Sequence, residues 1–155
     1  MTSPATAEAL AATPLFAGLA PSASAVVAEC GAPFSVAPGD ALAHDGDEAG
    51  EFFVLLEGRV ALQLHAGNRG DIVVETLGPY EVVGWSWLFA PHRWRFDVVA
   101  LDAVEGLRVD GVRLRARMEA DPALGFEILR RFADVVVDRL QHARVRLLDV
   151  YGDAR

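Results

Sequence analysis

The part of this sequence best equipped for chemistry runs from Gly84 through Trp85, Ser86, Trp87 and Leu88 to Arg93, Trp94 and Arg95. It combines a flexible backbone position, a hydroxyl, two guanidinium groups and all three tryptophans of the chain. Backbone N–H groups opening a short helix attract anions, and a guanidinium can complete the pairing with two parallel hydrogen bonds. Spacing works against a simple anion cradle, however. In an extended segment side chains alternate, so Arg93 and Arg95 face away from the side taken by Trp94, Phe96 and Val98. Only a bulge or loop at Arg93 would turn a guanidinium inward. Asp97 shares the face of Arg95 and is expected to pair with it at the surface.

Aromatic mass replaces the charge, since Phe89 and Phe96 accompany the three tryptophans. Three readings stay open. The rings can fill a pocket as core, line a site for an apolar or aromatic ligand, or form an exposed patch that receives a partner protein.

Other reactive chemistry is poorly supplied. His44, His65, His92 and His142 show no close ligand spacing, so no metal site is expected. The run His44-Asp45-Gly46-Asp47 lacks the remaining oxygen ligands of a calcium loop and reads as a turn. Cys30 is the single cysteine and reads as a small buried hydrophobe. A phosphate loop needs a lysine, which the chain lacks, and there is no G-x-S-x-G elbow. Nothing here implies a cofactor or pairs a nucleophile with a base, so an enzyme is not expected.

The elements that hold these residues follow from composition and punctuation. With 155 residues, 52% of them hydrophobic, the chain is sized for one domain with a real core. Its net charge of -8 is carried by the segment before Arg59, which holds acids and no base. Such a field disfavours phosphate backbones, so direct DNA binding is not expected. No apolar stretch approaches the ~20 residues of a membrane helix. The residues before Thr13 also lack the positive start of a secretory signal, which points to no membrane role and a cytoplasmic location.

Residues 1–13 are rich in Ala and Thr and are expected to be mobile. Residues 14–121 form the expected domain. Short helical pieces lead into strands around 33–36, 51–56, 59–65, 72–77, 96–100 and 106–109, divided by glycine turns. That series indicates a mainly β fold, an antiparallel jelly-roll-like barrel or sandwich, with flanking helices. A short helix near 114–119 precedes a long one over 122–151, opened by the cap pair Asp121-Pro122, with 152–155 as a tail.

Within the long helix Leu129, Ala133, Val136, Leu140, Ala143, Leu147 and Val150 repeat with alternating spacings of four and three, the seam of a coiled coil. Ile128, Phe132 and Val135 broaden the apolar face at its start. The start is expected to pack on the β-domain, while the far half, flanked by Arg139, Arg144 and Arg146, pairs with a second chain as a homodimer. Packing only within its own domain is the alternative.

The order of helical lead-in, glycine-turned strands and long final helix resembles the cyclic-nucleotide-binding domain of the catabolite-activator and oxygen-sensor (Crp/Fnr) superfamily. Its carriers are Pro38-Gly39-Asp40, Gly46-Asp47, Glu57-Gly58-Arg59-Val60, the run Leu77 to Gly84, and Val98-Val99-Ala100. The resemblance implies a phosphate-binding cassette in which a glycine–glutamate pair opens a short helix and a later arginine neutralises the cyclic phosphate. The resemblance thereby makes Gly84, Trp85, Ser86, Trp87, Leu88, Arg93, Trp94 and Arg95 the candidate ligand-pocket residues; Gly84 is present, but Trp85 occupies the glutamate position and Trp94 the arginine position, counted back from Ala100. Tyr80 stands where the family usually has a glycine. The resemblance thus implies a regulatory or protein-interaction module that does not take a cyclic nucleotide in the usual way. DNA-reading members carry a helix-turn-helix after the long helix, and the chain ends at Arg155. The alternative is a receptor whose aromatic-lined pocket takes a nucleotide-like or apolar small-molecule effector and signals through the final helix.

Overall fold

A computed structural model describes residues 4–152. The expected mobility of residues 1–3 and the tail residues 153–155 lie outside that range. Helices α1 (Pro4–Ala12) and α2 (Pro21–Glu29) lead into eight strands: β1 (Gly31–Val36), β2 (Ala41–Ala43), β3 (Glu51–Glu57), β4 (Val60–His65), β5 (Asp71–Leu77), β6 (Val82–Val83), β7 (Asp97–Ala100) and β8 (Val104–Asp110). Helices α3 (Gly111–Ala120) and α4 (Pro122–Gly152) follow. One sheet runs β1-β8-β3-β6 and the other β2-β7-β4-β5, with antiparallel pairing throughout. This is the expected jelly-roll-like architecture with helices at both ends.

The apolar run of β3 shows how the two cores are built. Side chains alternate along a strand. Phe52 and Val54 join the core between this sheet and the helices, whereas Phe53 and Leu55 join the core between the two sheets. Both faces of β3 are therefore dry, and its sequence shows no polar alternation. Strand β8, paired to β3 along its length, divides its residues likewise, with Leu107 and Val109 toward the helices and Val104 toward the sheets.

Within the segment 1–13 expected to be mobile, α1 (Pro4–Ala12) is a helix docked on the domain. Leu10 is buried in the helical core, and the buried Thr13 hydroxyl donates to the Ala9 carbonyl at 2.9 Å. The alanines that suggested a bland tail are good helix formers, and Ala5, Ala7, Ala11 and Ala12 are exposed while Thr6 and Leu10 face inward. Strands β2 and β6 were not expected, because three and two residues are too few to show a period.

Helix boundaries follow local capping. Asp110 accepts the Arg113 N–H at 3.0 Å to open α3, and Asp121 accepts the Leu124 N–H at 3.3 Å to open α4. The start of α4 packs on the domain as expected, through Leu124, Ile128 and Phe132.

Candidate functional site

The segment joining β6 to β7 wraps one end of the inter-sheet core. Gly84 sits at φ +100°, a backbone conformation that only glycine adopts easily. It also has no room for a side chain, since a Cβ there would lie 2.5 Å from the edge of the Trp94 ring. Trp94 is 7% exposed and stacks on Phe53 with ring centres 6.2 Å apart. The expected outward placement holds at Arg93, which is exposed, donates to the Gly46 carbonyl at 3.2 Å and lies outside the pocket it was expected to line, but not at Arg95, which borders the same cavity as Trp94. Main-chain bonds from Trp94 N–H to the Asp47 carbonyl (2.9 Å) and from Gly46 N–H to the Trp94 carbonyl (2.8 Å) fix this placement.

The three tryptophans separate into different environments. Trp87 is fully buried in the helical core, stacked on Phe52 at 5.0 Å and edge-on to Phe132 at 5.2 Å. Leu88 packs against the same core. Trp87 and Leu88, expected at the ligand pocket, therefore belong to the domain's packing. Gly84, Trp85, Ser86, Trp94 and Arg95 do converge, lining a cavity of about 190 Å³ that Leu62, Val83, Phe96 and Val98 complete with apolar walls.

The remaining wall comes from α4. Arg139, expected to flank a seam between chains, turns instead into its own domain. It is 9% exposed, donates to the Val82 carbonyl and stands 5.1 Å from the centre of the Trp85 ring. Burial pushes its guanidinium below the usual arginine value, while Glu75, Glu81 and Asp138 act in the opposite direction. One heptad further on, Arg146 donates to the Val74 carbonyl of β5. The sequence signal for Arg139 is its place in the stripe Ile128, Phe132, Val135, Arg139, whose spacings of four, three and four put it on the buried face.

Asp97 does not pair with Arg95. Its carboxylate accepts the Asp45 N–H at 2.8 Å and lies 2.5 Å from His65 Nε2 and 3.9 Å from His44 Nδ1. The Asp45 amide, more than the histidines, holds the Asp97 carboxyl below its ordinary value. His65 also meets Asp71 at 2.5 Å through Nδ1, and the two carboxylates raise its pKa, Asp71 foremost.

The candidate seam residues present themselves outward. Leu129, Leu140, Leu147 and Val150 are exposed, as are Ala133 and Ala143, and Val136 is half-buried. No group of three or more His, Cys, Asp or Glu among the described residues could hold a metal ion. No helix among the described residues is long and apolar enough to cross a membrane.

Residues 33–121 match the family model described as the cyclic nucleotide-binding domain. No curated protein matches the chain. Among solved structures, a Geobacter metallireducens protein named for cyclic nucleotide binding is 27% identical with a TM-score of 0.79, covering 90% of this chain and 99% of its own. The N-terminal domain of a transcriptional regulator from Streptomyces coelicolor is also 27% identical, with a TM-score of 0.68 and coverage of 86% and 94%. The catabolite activator protein of Thermus thermophilus, 23% identical with a TM-score of 0.69, shares the fold over 89% of this chain and 63% of its own.

Proposed function

This chain belongs to the cyclic nucleotide-binding domain family, and on that premise we propose that it is a non-enzymatic regulatory module whose cassette no longer takes a cyclic nucleotide in the family's manner. The observation that carries this reading is the Trp94 ring lying over Gly84. An arginine at this position would offer a cyclic phosphate a charged fork, whereas the indole occupies the space and carries neither a positive charge nor a second donor. Trp85 likewise replaces the carboxylate that would accept a ribose hydroxyl. The space left, about 190 Å³, falls below the ~300 Å³ at which ordinary ligand pockets begin.

In this reading the module acts as a homodimer through Leu129, Ala133, Val136, Leu140, Ala143, Leu147 and Val150, and it works through a partner protein, without direct DNA contact. The exposed apolar seam supports the dimer, and the acidic balance argues against DNA. A cytoplasmic location accords with the single cysteine.

The test is titration with cyclic AMP and cyclic GMP, following tryptophan fluorescence together with the thermal unfolding midpoint. No response in either observable is expected. A saturable change with a raised midpoint would show binding to the native state and defeat the reading.

A second reading, a receptor for a small effector, is favoured by one observation: the residual cavity is lined by a buried cation on the long helix.

A further inference from the structure

We propose that the cavity beneath α4 binds a small organic anion, a carboxylate on a compact aromatic or branched apolar body, with Arg139 as the residue that holds the charge. This rests on the reading that the cassette does not take a cyclic nucleotide in the family's manner.

The argument starts from an unbalanced charge. A guanidinium does not lose its proton in proteins, and a buried charge is stable only when paired or richly hydrogen-bonded. Arg139 is 9% exposed, yet among the described residues no carboxylate lies within 4.0 Å of it, and its one hydrogen bond goes to the neutral Val82 carbonyl. Glu75, Glu81 and Asp138 are near enough to favour the charged form without pairing with it. The guanidinium has five donors in a planar fork suited to a carboxylate, of which one is used on the Val82 carbonyl, and the residue is part of the cavity wall.

The other walls define the rest of the ligand. Trp85, Trp94, Phe96 and Leu62 are apolar, Ser86 supplies a hydroxyl, Arg95 adds a second cation, and no acid lines the space. An anion is thus favoured at the Arg139 end and a hydrocarbon surface elsewhere. A cavity of about 190 Å³ lies below the ~300 Å³ of ordinary pockets, which limits its occupant to a single-ring acid and excludes a nucleotide. The Trp85 face against Arg139 holds the fork in position through a cation–π contact.

The experiment uses the full chain and benzoate as the probe. Benzyl alcohol serves as the uncharged counterpart and inorganic phosphate as the anion without an apolar body. Tryptophan fluorescence and the unfolding midpoint should respond saturably to benzoate, with the other two compounds at least tenfold weaker. Arg139→Met, which keeps an apolar stem, should weaken benzoate by about ten- to a hundredfold, the worth of charge-assisted hydrogen bonds. Arg139→Lys should retain part of the affinity. Equal binding of benzoate and benzyl alcohol, unchanged binding in Arg139→Met, or no response to benzoate would overturn the proposal. The wild-type comparison decides the matter even if the variants do not fold. Binding of cyclic AMP would defeat the reading of the cassette, whereas silence toward both cyclic AMP and benzoate would remove the anion site and leave that reading standing.

Discussion

Gly84 and Trp94 are mutually dependent: the ring edge lies 2.5 Å from the only position a Cβ on Gly84 could take, and the φ of +100° is itself costly for any other residue. Gly84→Ala should therefore combine backbone strain with overpacking against a stacked indole. A loss of about 3 kcal/mol is expected, a fall of roughly 10 °C in the unfolding midpoint for a chain of this size. A scan of thermal unfolding by circular dichroism checks it, and a shift under about 3 °C would mean that Trp94 moves aside cheaply.

Exchanging the two disabling tryptophans tests the same contact from the other side. Trp94→Arg together with Trp85→Glu should vacate the space over Gly84 and restore both charged partners of a cyclic phosphate and its ribose. A saturable response to cyclic AMP, absent in the parent, is the expected outcome of calorimetric titration.

Leu140 and Leu147 are 48% and 57% exposed on one side of α4. Replacing both by glutamate should give a folded monomer, read as halved mass by light scattering with an unchanged circular dichroism spectrum. Unchanged mass would assign the seam some other role.

Phe132 anchors the start of α4 by meeting the rings of Phe52 at 5.1 Å and Trp87 at 5.2 Å. Phe132→Ala should cost about 3–5 kcal/mol in denaturant unfolding, the range for a buried aromatic whose neighbours cannot collapse into the void.

His65 links the β4–β5 hairpin to the start of β7 through Asp71 and Asp97. Its folded pKa lies above the ordinary 6.5, with the Asp71 hydrogen bond as the main cause. Its contribution to stability is therefore fully present below pH 6.5 and disappears as pH rises through the higher folded value. The difference in unfolding midpoint between the wild type and His65→Gln should be larger at pH 5.5 than at pH 8.5. Asp97 behaves oppositely, because its folded pKa lies below the ordinary 3.8. What it adds is present above that value and vanishes as pH falls through the lower folded one.

Much of the fold can be read from local pattern. The unbroken apolar run of β3, the glycine turns and the Asp121-Pro122 cap are short-range signals, and each appears at or near its expected place. Tyr80 holds φ +66°, a left-handed conformation that glycine adopts more easily than tyrosine. The site was harder to read. Arg139 meets Val82 across 57 positions, and Asp97 meets the Asp45 amide across 52. No periodicity encodes such partners, so a surface pairing of Asp97 with Arg95 was a natural but mistaken expectation; for Arg139 the stripe of Ile128, Phe132 and Val135 gives its buried side but not the carbonyl it meets. The tryptophans illustrate the same limit. Their density is plain in the sequence, but which ring joins which core depends on the sheet that each one meets.

The stripe that seats α4 on its domain, Ile128, Phe132, Val135, Arg139 and on to Arg146, stands one residue before the outward stripe that contains Leu129, Leu140 and Leu147. Consecutive residues on a helix point about 100° apart. The two stripes are thus geared together on one rigid shaft: a torque that swings the outward leucines must also wind Arg139 toward or away from Trp85.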